Sequence, residues 1–191
     1  MKNLALTEAE IERALIYLHE SRDGVARAVE GLTGAQWNFK PGADRWSVAE
    51  ILEHLSVVEE RVVENVFPKL NGAPATEGNG DSREMDALVI AKGSDRSTVL
   101  QAPPAIAPSG RWAPEESLER FLAGSERVAA FLQAPEAPLR GHLWPHPALG
   151  PLDGYQWVSL TAAHNERHTK QILEVKADAN FPAHTMAGGA I

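Results

Sequence analysis

Two histidines, four residues apart, are the side chains of this sequence with the clearest capacity for chemistry. His164 and His168 occur in the segment HNERH, where apolar residues repeat at intervals of three and four and predict a helix. Side chains at this spacing lie one turn apart on one face, so both imidazoles could bind one metal ion at about 2.0–2.1 Å. The pair alone is weak evidence, because two ordinary histidines on a helix show the same spacing.

A third histidine strengthens the metal interpretation. His54 lies three residues after Ile51 and four before Val58, on or beside the apolar face of another predicted helix. Buried imidazoles without partners would be costly, and a shared metal ion removes that cost. We therefore expect a metal site formed by His54, His164 and His168, with positions open to water or substrate. The alternative for His54 is a histidine at the edge of the core, bonded to a backbone carbonyl.

Other polar residues near these histidines have weaker claims. Glu50 lies one turn before His54 and could orient its imidazole, but the pattern S-x-x-E favours a helix-capping role. Glu166 points to a different face from the histidine pair, and it is displaced by one position from the base of an HExxH metalloprotease. His142 and His146 precede the last helix, where either could reach the mouth of the bundle as a substrate contact or an additional ligand, although loop histidines usually do neither.

The composition limits the classes of partner. The formal net charge is −8, and basic residues are dispersed, so we expect no nucleic-acid partner. The chain has no cysteine, which excludes thiolate ligands, disulfides and a cysteine nucleophile. Its apolar stretches are shorter than the roughly 20 residues of a membrane span, and its acidic start is unlike a secretory signal. We expect a soluble, cytoplasmic protein with no membrane partner.

The elements that must position the histidines are four amphipathic helices. Apolar periodicity and capping signals place them at about residues 7–32, 47–68, 114–133 and 153–176. No segment shows a convincing strand pattern. The sequence therefore predicts an all-α, up-and-down four-helix bundle.

We expect one domain that covers residues 1–191. Residues 70–113 form a long connection between the second and third helices, rich in glycine and proline, with a short candidate helix over 84–91. Such a connection is either a lid over an active site or a flexible excursion. The tail, residues 178–191, is expected to be frayed.

Three segments of the chain resemble the DinB/YfiT-like proteins, a family of metal-binding four-helix bundles that includes small-thiol-dependent transferases and isomerases. They are WNFKPGADRWSVAEILEHL, HPALGPLDGYQW and AAHNERHTKQI. The resemblance places the family's metal ligands at His54, His164 and His168. It implies a divalent metal ion (zinc, nickel, iron or manganese), a small-molecule substrate and a homodimer.

The resemblance also implies a reaction, the transfer of a low-molecular-weight thiol to an electrophilic small molecule. A metal ion with open positions can lower the pKa of a bound thiol or water, or polarise a substrate oxygen. Hydrolysis or isomerisation fits the same residues. The alternative from another class is a non-catalytic bundle that binds metal or contains a structural histidine cluster.

Overall fold

Seven α-helices and one β-hairpin make up the part of the chain that the computed structural model describes, residues 5–74, 82–98 and 101–183. The helices are α1 (Glu8–Val29), α2 (Gly34–Asn38), α3 (Val48–Arg61), α4 (Phe67–Gly72), α5 (Ser82–Ser94), α6 (Pro114–Gln133) and α7 (Gly154–Lys176). The hairpin strands are β1 (Leu143–His146) and β2 (Gly150–Asp153), which pair antiparallel. None of the helices in these ranges is long and apolar enough to cross a membrane.

The long helices α1, α3, α6 and α7 form the bundle, with the most extensive contacts between α1 and α7 and between α3 and α6. Apolar side chains at helical spacing are fully buried on the facing sides, among them Leu18, Ile51, Phe121 and Ile172. Burying each such side chain contributes roughly 1.5–3 kcal/mol to folding. The predicted all-α four-helix bundle is confirmed.

Capping boxes fix where three of these helices begin. The side chains of Thr7, Ser47 and Asp153 accept hydrogen bonds from the first turns of α1, α3 and α7. The predicted starts of these helices are confirmed. The first helix ends at Val29 rather than near residue 32, and Gly31 follows in the left-handed region with φ of 69°.

The second bundle helix does not end at Pro68 as the sequence suggested. A π-helical turn, Val62–Val66, follows α3, and the Phe67 N–H donates to the Val62 carbonyl, five residues back. Pro68 then falls in the first turn of α4, directly after the π-helical turn. The chain therefore stays helical as far as Gly72.

Part of the long connection between α4 and α6 is a fifth helix on the bundle surface. Helix α5 includes the predicted short helix and packs along α7. Their approach is close, since a Cβ built on Gly93 would lie 2.7 Å from the Ala163 Cβ. Arg140 also anchors α5 by donating to Asp86 over 2.8 Å. Residues 75–81 and 99–100 of the connection lie outside those described.

The hairpin before α7 has no counterpart in the sequence prediction. Pro145 and Pro151 face each other across the two strands, and neither can donate a hydrogen bond to the ladder. The segment therefore has the composition of a loop. The Trp157 indole N–H donates to the Trp144 carbonyl over 3.2 Å, which ties the hairpin to α7.

The start of the C-terminal tail lies against the short helix α2. Phe181 packs edge-on to Phe39 with ring centroids 5.6 Å apart, and the Gln36 side chain donates to the Pro182 carbonyl. Residues 184–191, the rest of the tail that we expected to be frayed, lie outside those described.

Candidate metal centre

Helices α3 and α7 bring the three histidines to one point. The Nε2 atom of His164 lies 3.2 Å from that of His54 and 3.1 Å from that of His168. The three ligand atoms all lie within 4.8 Å of one another. Ligands around one ion at about 2.0–2.1 Å are separated by roughly 2.9 Å at octahedral angles and roughly 3.3 Å at tetrahedral angles. The two short separations fall within that interval.

Two of the imidazoles have their other nitrogen bonded to an oxygen. His54 Nδ1 lies 2.8 Å from the Ile106 carbonyl oxygen, and His168 Nδ1 lies 2.8 Å from Gln171 Oε1. Both oxygens are acceptors, so each Nδ1 carries the proton and each Nε2 is left with a lone pair. This is the tautomer that a histidine needs in order to bind a metal ion through Nε2.

The third imidazole cannot satisfy both of its neighbours by hydrogen bonding. His164 Nε2 carries at most one proton, so it can donate to only one of the two lone pairs that face it. Among the described residues, His164 Nδ1 is a buried atom without a hydrogen-bond partner. A divalent cation between the three Nε2 atoms would accept all three lone pairs. The chemistry of the donor set therefore fits such an ion.

The surroundings keep the imidazoles neutral. Burial lowers the pKa of His54, and it lowers the pKa values of His164 and His168 well below the ordinary histidine value. The positive charge of Arg167 adds to the effect on His164 and His168. Neutral imidazole is the form that binds metal, so no proton has to be displaced at neutral pH.

Trp46 forms an aromatic wall beside the centre, a role that the sequence analysis missed. Its ring centroid lies 5.0 Å from that of His54 and 6.4 Å from that of His168, nearly parallel to the latter ring. Trp46 also packs against the apolar cluster that contains Ile51. His54 and His168 are buried beside it, whereas His164 keeps partial exposure.

A buried carboxyl group lies on α3 five residues after His54. Glu59 is 1% exposed and accepts hydrogen bonds from Ser125 Oγ over 2.9 Å and from Asn165 Nδ2 over 2.9 Å. Burial raises the pKa of Glu59 to about 8, against the opposing effect of these donors. Gly124 leaves room for the carboxyl group, since a Cβ there would lie 2.8 Å from Glu59 Oε2. Glu59 was also missed from the sequence.

The two glutamates considered from the sequence have structural roles away from the histidine nitrogens. Glu50 accepts from the Ser47 backbone N–H over 2.8 Å and from Lys40 Nζ over 2.9 Å, so it caps α3. Glu166 accepts from the Tyr17 hydroxyl over 2.7 Å on another face of α7. Glu50 does not orient His54, because the His54 Nδ1–H donates to the Ile106 carbonyl instead.

The two loop histidines shape the chain before α7. His146 Nδ1 accepts from the backbone N–H groups of Ala148 and Leu149 over 3.2 Å each, which closes the hairpin turn. His142 Nδ1 lies 2.6 Å from the Ala73 carbonyl oxygen and ties the hairpin to the end of α4.

Comparison with known proteins gives one sequence relative and one structural neighbour of note. The chain is 24% identical to YuaE, an uncharacterised protein of Bacillus subtilis strain 168, over 159 residues that cover 83% of this chain and 94% of YuaE. Its fold resembles that of YfiT from Bacillus subtilis, with a TM-score of 0.59, 15% sequence identity, and coverage of 92% of this chain and 91% of YfiT. YfiT is described as a probable metal-dependent hydrolase with an unusual four-helix bundle topology.

A family model gives the assignment. The model of the DinB superfamily matches residues 17–172, a span that includes all three histidines of the centre and the four helices of the bundle from within α1 to within α7. Since the match covers most of the chain, this protein belongs to the DinB superfamily.

Proposed function

We propose that His54, His164 and His168 bind one divalent metal ion and that the protein is a metal-dependent enzyme acting on a small molecule. The observation that supports this most is the convergence of three Nε2 atoms, two of which have their lone pairs fixed by hydrogen bonds at Nδ1. Three protein ligands leave further positions for water or substrate.

A divalent ion in such a site supplies Lewis acidity, which lowers the pKa of a bound thiol or water and polarises a substrate oxygen. The chain's own residues orient and shelter this chemistry. The Ile106 carbonyl and Gln171 hold two imidazole rings in orientation. Trp46 covers one side of the rings, and His164 is the partly exposed ligand of the three.

The reaction that we propose is the transfer of a low-molecular-weight thiol to an electrophilic carbon, forming a carbon–sulfur bond. The thiol releases its proton to solvent as the thiolate forms, the sulfur bonds to the carbon, and the bond from that carbon to its leaving group breaks, with the leaving group taking the bonding electron pair. Hydrolysis is the second reaction class, supported by the fold shared with YfiT and by the description of that protein. The all-imidazole donor set favours zinc, nickel or iron over manganese, which prefers oxygen ligands.

Activity assays distinguish these reactions. Purified protein, depleted of metal and then reloaded with zinc, nickel or iron, is incubated with a panel of cellular thiols and an electrophile, and in parallel with ester and amide substrates. We expect metal-dependent loss of electrophile that His164→Ala abolishes. Metal-dependent hydrolysis without thiol consumption would favour the hydrolase. No metal-dependent turnover in either panel would reject an enzyme of these two classes.

A non-catalytic metal-binding bundle is the alternative, and the shelter of the centre favours it. His54 and His168 are only 3% and 6% exposed, and an ion held by buried imidazoles can stabilise the fold without catalysing a reaction. In that case metal binds and raises stability, while neither substrate panel is turned over.

The homodimer and the cytoplasmic location also stay predictions, and light scattering of the purified protein tests the first.

A further inference from the structure

A short segment that follows α5 lies directly against the histidine centre. Residues 103–111, called the strap below, begin with a 3-10 turn in which the Ile106 N–H donates to the Pro103 carbonyl over 3.0 Å. Near its other end Gly110 adopts φ of 74°, a conformation that favours glycine. Arg111 Nη1 donates to the Ala107 carbonyl over 3.1 Å, so the strap is also bonded within itself.

One buried carboxylate of α3 holds the far end of the strap. Glu53 is 2% exposed, and its oxygens accept from the backbone N–H groups of Ser109 and Gly110 over 2.8 Å each. Arg111 Nη1 adds an ion pair at 2.9 Å. Hydrogen bonds to an ionised group are roughly twice as strong as those between neutral groups. These N–H donors and the charge of Arg111 lower the pKa of Glu53 although its burial alone would raise it.

The next residue of α3 holds the near end of the strap. His54 donates from Nδ1 to the Ile106 carbonyl, so Glu53 and His54, neighbours in sequence, bond the same segment three to five residues apart. The position of the Ile106 oxygen then depends on the bonds to Glu53. That oxygen fixes which nitrogen of His54 carries the proton and how the ring is turned.

We propose that Glu53 is a positioning residue of the metal centre, acting through the strap and Ile106 on His54. The proposal rests on the proposed metal site. It has a reciprocal consequence: an ordered strap favours metal binding, and bound metal in turn favours an ordered strap by the same coupling. A purely structural Glu53 would stabilise the fold equally with and without metal.

Matched substitutions separate the two roles. Glu53→Gln keeps the size of the side chain but removes its charge and one acceptor oxygen, and Glu60→Gln is the control on the same helix, where Glu60 pairs with Arg120. Arg111→Gln loosens the strap from the outside, with Arg120→Gln as its control. The Arg111 side chain is partly exposed, so we expect Arg111→Gln to fold. The Arg111 and Arg120 variants therefore decide the question if Glu53→Gln does not fold.

The experiment combines calorimetric titration of zinc and of nickel, each alone, with hydrogen exchange of the Ser109 and Gly110 amides. We expect Glu53→Gln to weaken metal binding about tenfold, with a smaller loss in Arg111→Gln, whereas the two controls bind as the wild type does. Bound metal should slow exchange of the two amides in the wild type by a similar factor.

Two results would overturn the inference, and they differ from each other. If the wild type binds metal while Glu53→Gln and Arg111→Gln bind it equally well, and metal leaves amide exchange unchanged, the strap is not coupled to the centre. If the wild type binds neither zinc nor nickel, the metal site itself is wrong and this inference falls with it.

Discussion

The Nε2 atoms of His54 and His164 lie 3.2 Å apart although 110 positions separate the two residues in the chain. Two neutral imidazoles that meet through their Nε2 atoms can share one proton, but His168 brings a third such atom to within 3.1 Å of His164. His164 Nε2 can donate one proton at most, so the three Nε2 atoms have more lone pairs than protons available to bond with them. This excess is the physical basis of the proposed metal site.

Removing the hydrogen-bond partner of His168 should weaken metal binding. In Gln171→Leu the His168 Nδ1–H loses the acceptor that lies 2.8 Å away, so the ring is free to turn and to change tautomer. We expect a loss of about 10–100-fold in affinity, typical of outer partners of metal ligands. Lys170→Leu, a change at the exposed neighbouring position, is the control. Calorimetric titration of zinc into each metal-depleted protein provides the measurement, and equal affinities for both variants would contradict the role of Gln171.

The buried carboxyl group of Glu59 should make stability fall as pH rises. Its pKa is about 8 in the folded protein, against an ordinary value of 4.5, so between these values the native state holds a proton that the unfolded chain has released. Unfolding free energy then decreases with rising pH, by up to roughly 1.4 kcal/mol per pH unit from this group. Below about pH 4.5 both states are protonated, and the penalty is absent.

Glu59→Gln isolates that contribution. The amide has nearly the same shape as the protonated carboxyl group and carries no titrating proton, so we expect it to match the wild type near pH 5 and to exceed it in stability at pH 8. Urea unfolding of both proteins at intervals from pH 5 to pH 9 measures the difference. A difference that stays constant with pH would show that Glu59 is ionised throughout this range.

Helix α5 should depend on the absence of a side chain at Gly93. A Cβ there would lie 2.7 Å from the Ala163 Cβ and 3.0 Å from Leu160 Cδ1, so Gly93→Ala forces α5 away from α7. Overpacking of this kind costs about 1–3 kcal/mol, more than the roughly 1 kcal/mol that alanine gains in helix propensity. Gly72→Ala is the control, because no atom lies within 4 Å of its added Cβ.

Chemical denaturation of the two alanine variants checks this contact. We expect the unfolding free energy of Gly93→Ala to drop by up to about 2 kcal/mol, while Gly72→Ala stays equal to the wild type or rises slightly. A Gly93→Ala protein as stable as the control would mean that α5 adjusts its position without cost.

The bundle and the three histidines could be predicted because both depend on local pattern. Apolar periodicity places Ile51 and Ile172 inside, and the histidines share the faces of these residues. Capping motifs mark the helix starts independently of the rest of the fold. Glu59 also carried a signal that went unused, since it lies four residues after Leu55 on the buried stripe of α3.

Other features depend on contacts that no local pattern contains. The acceptor for His54 is the backbone carbonyl of Ile106, and every residue except the terminal one has a carbonyl to offer. The position of Trp46 just before the start of α3 is enough to explain its presence in the sequence. Its contact with two imidazole rings therefore could not be predicted. The hairpin was hidden because Pro145 and Pro151, which normally argue against strands, face each other in its ladder.

Calorimetric titration of a divalent metal ion into metal-depleted protein tests the central claim most directly. Wild type, His54→Ala and His168→Ala are compared with His19→Ala, a histidine on α1 outside the cluster. We predict one ion per chain for the wild type and for His19→Ala. We expect His54→Ala and His168→Ala to bind the ion more weakly than the wild type. The loss of affinity should exceed the roughly 10–100-fold that follows when a ligand loses only its hydrogen-bond partner. Unchanged stoichiometry and affinity in both His54→Ala and His168→Ala would contradict the three-histidine metal site.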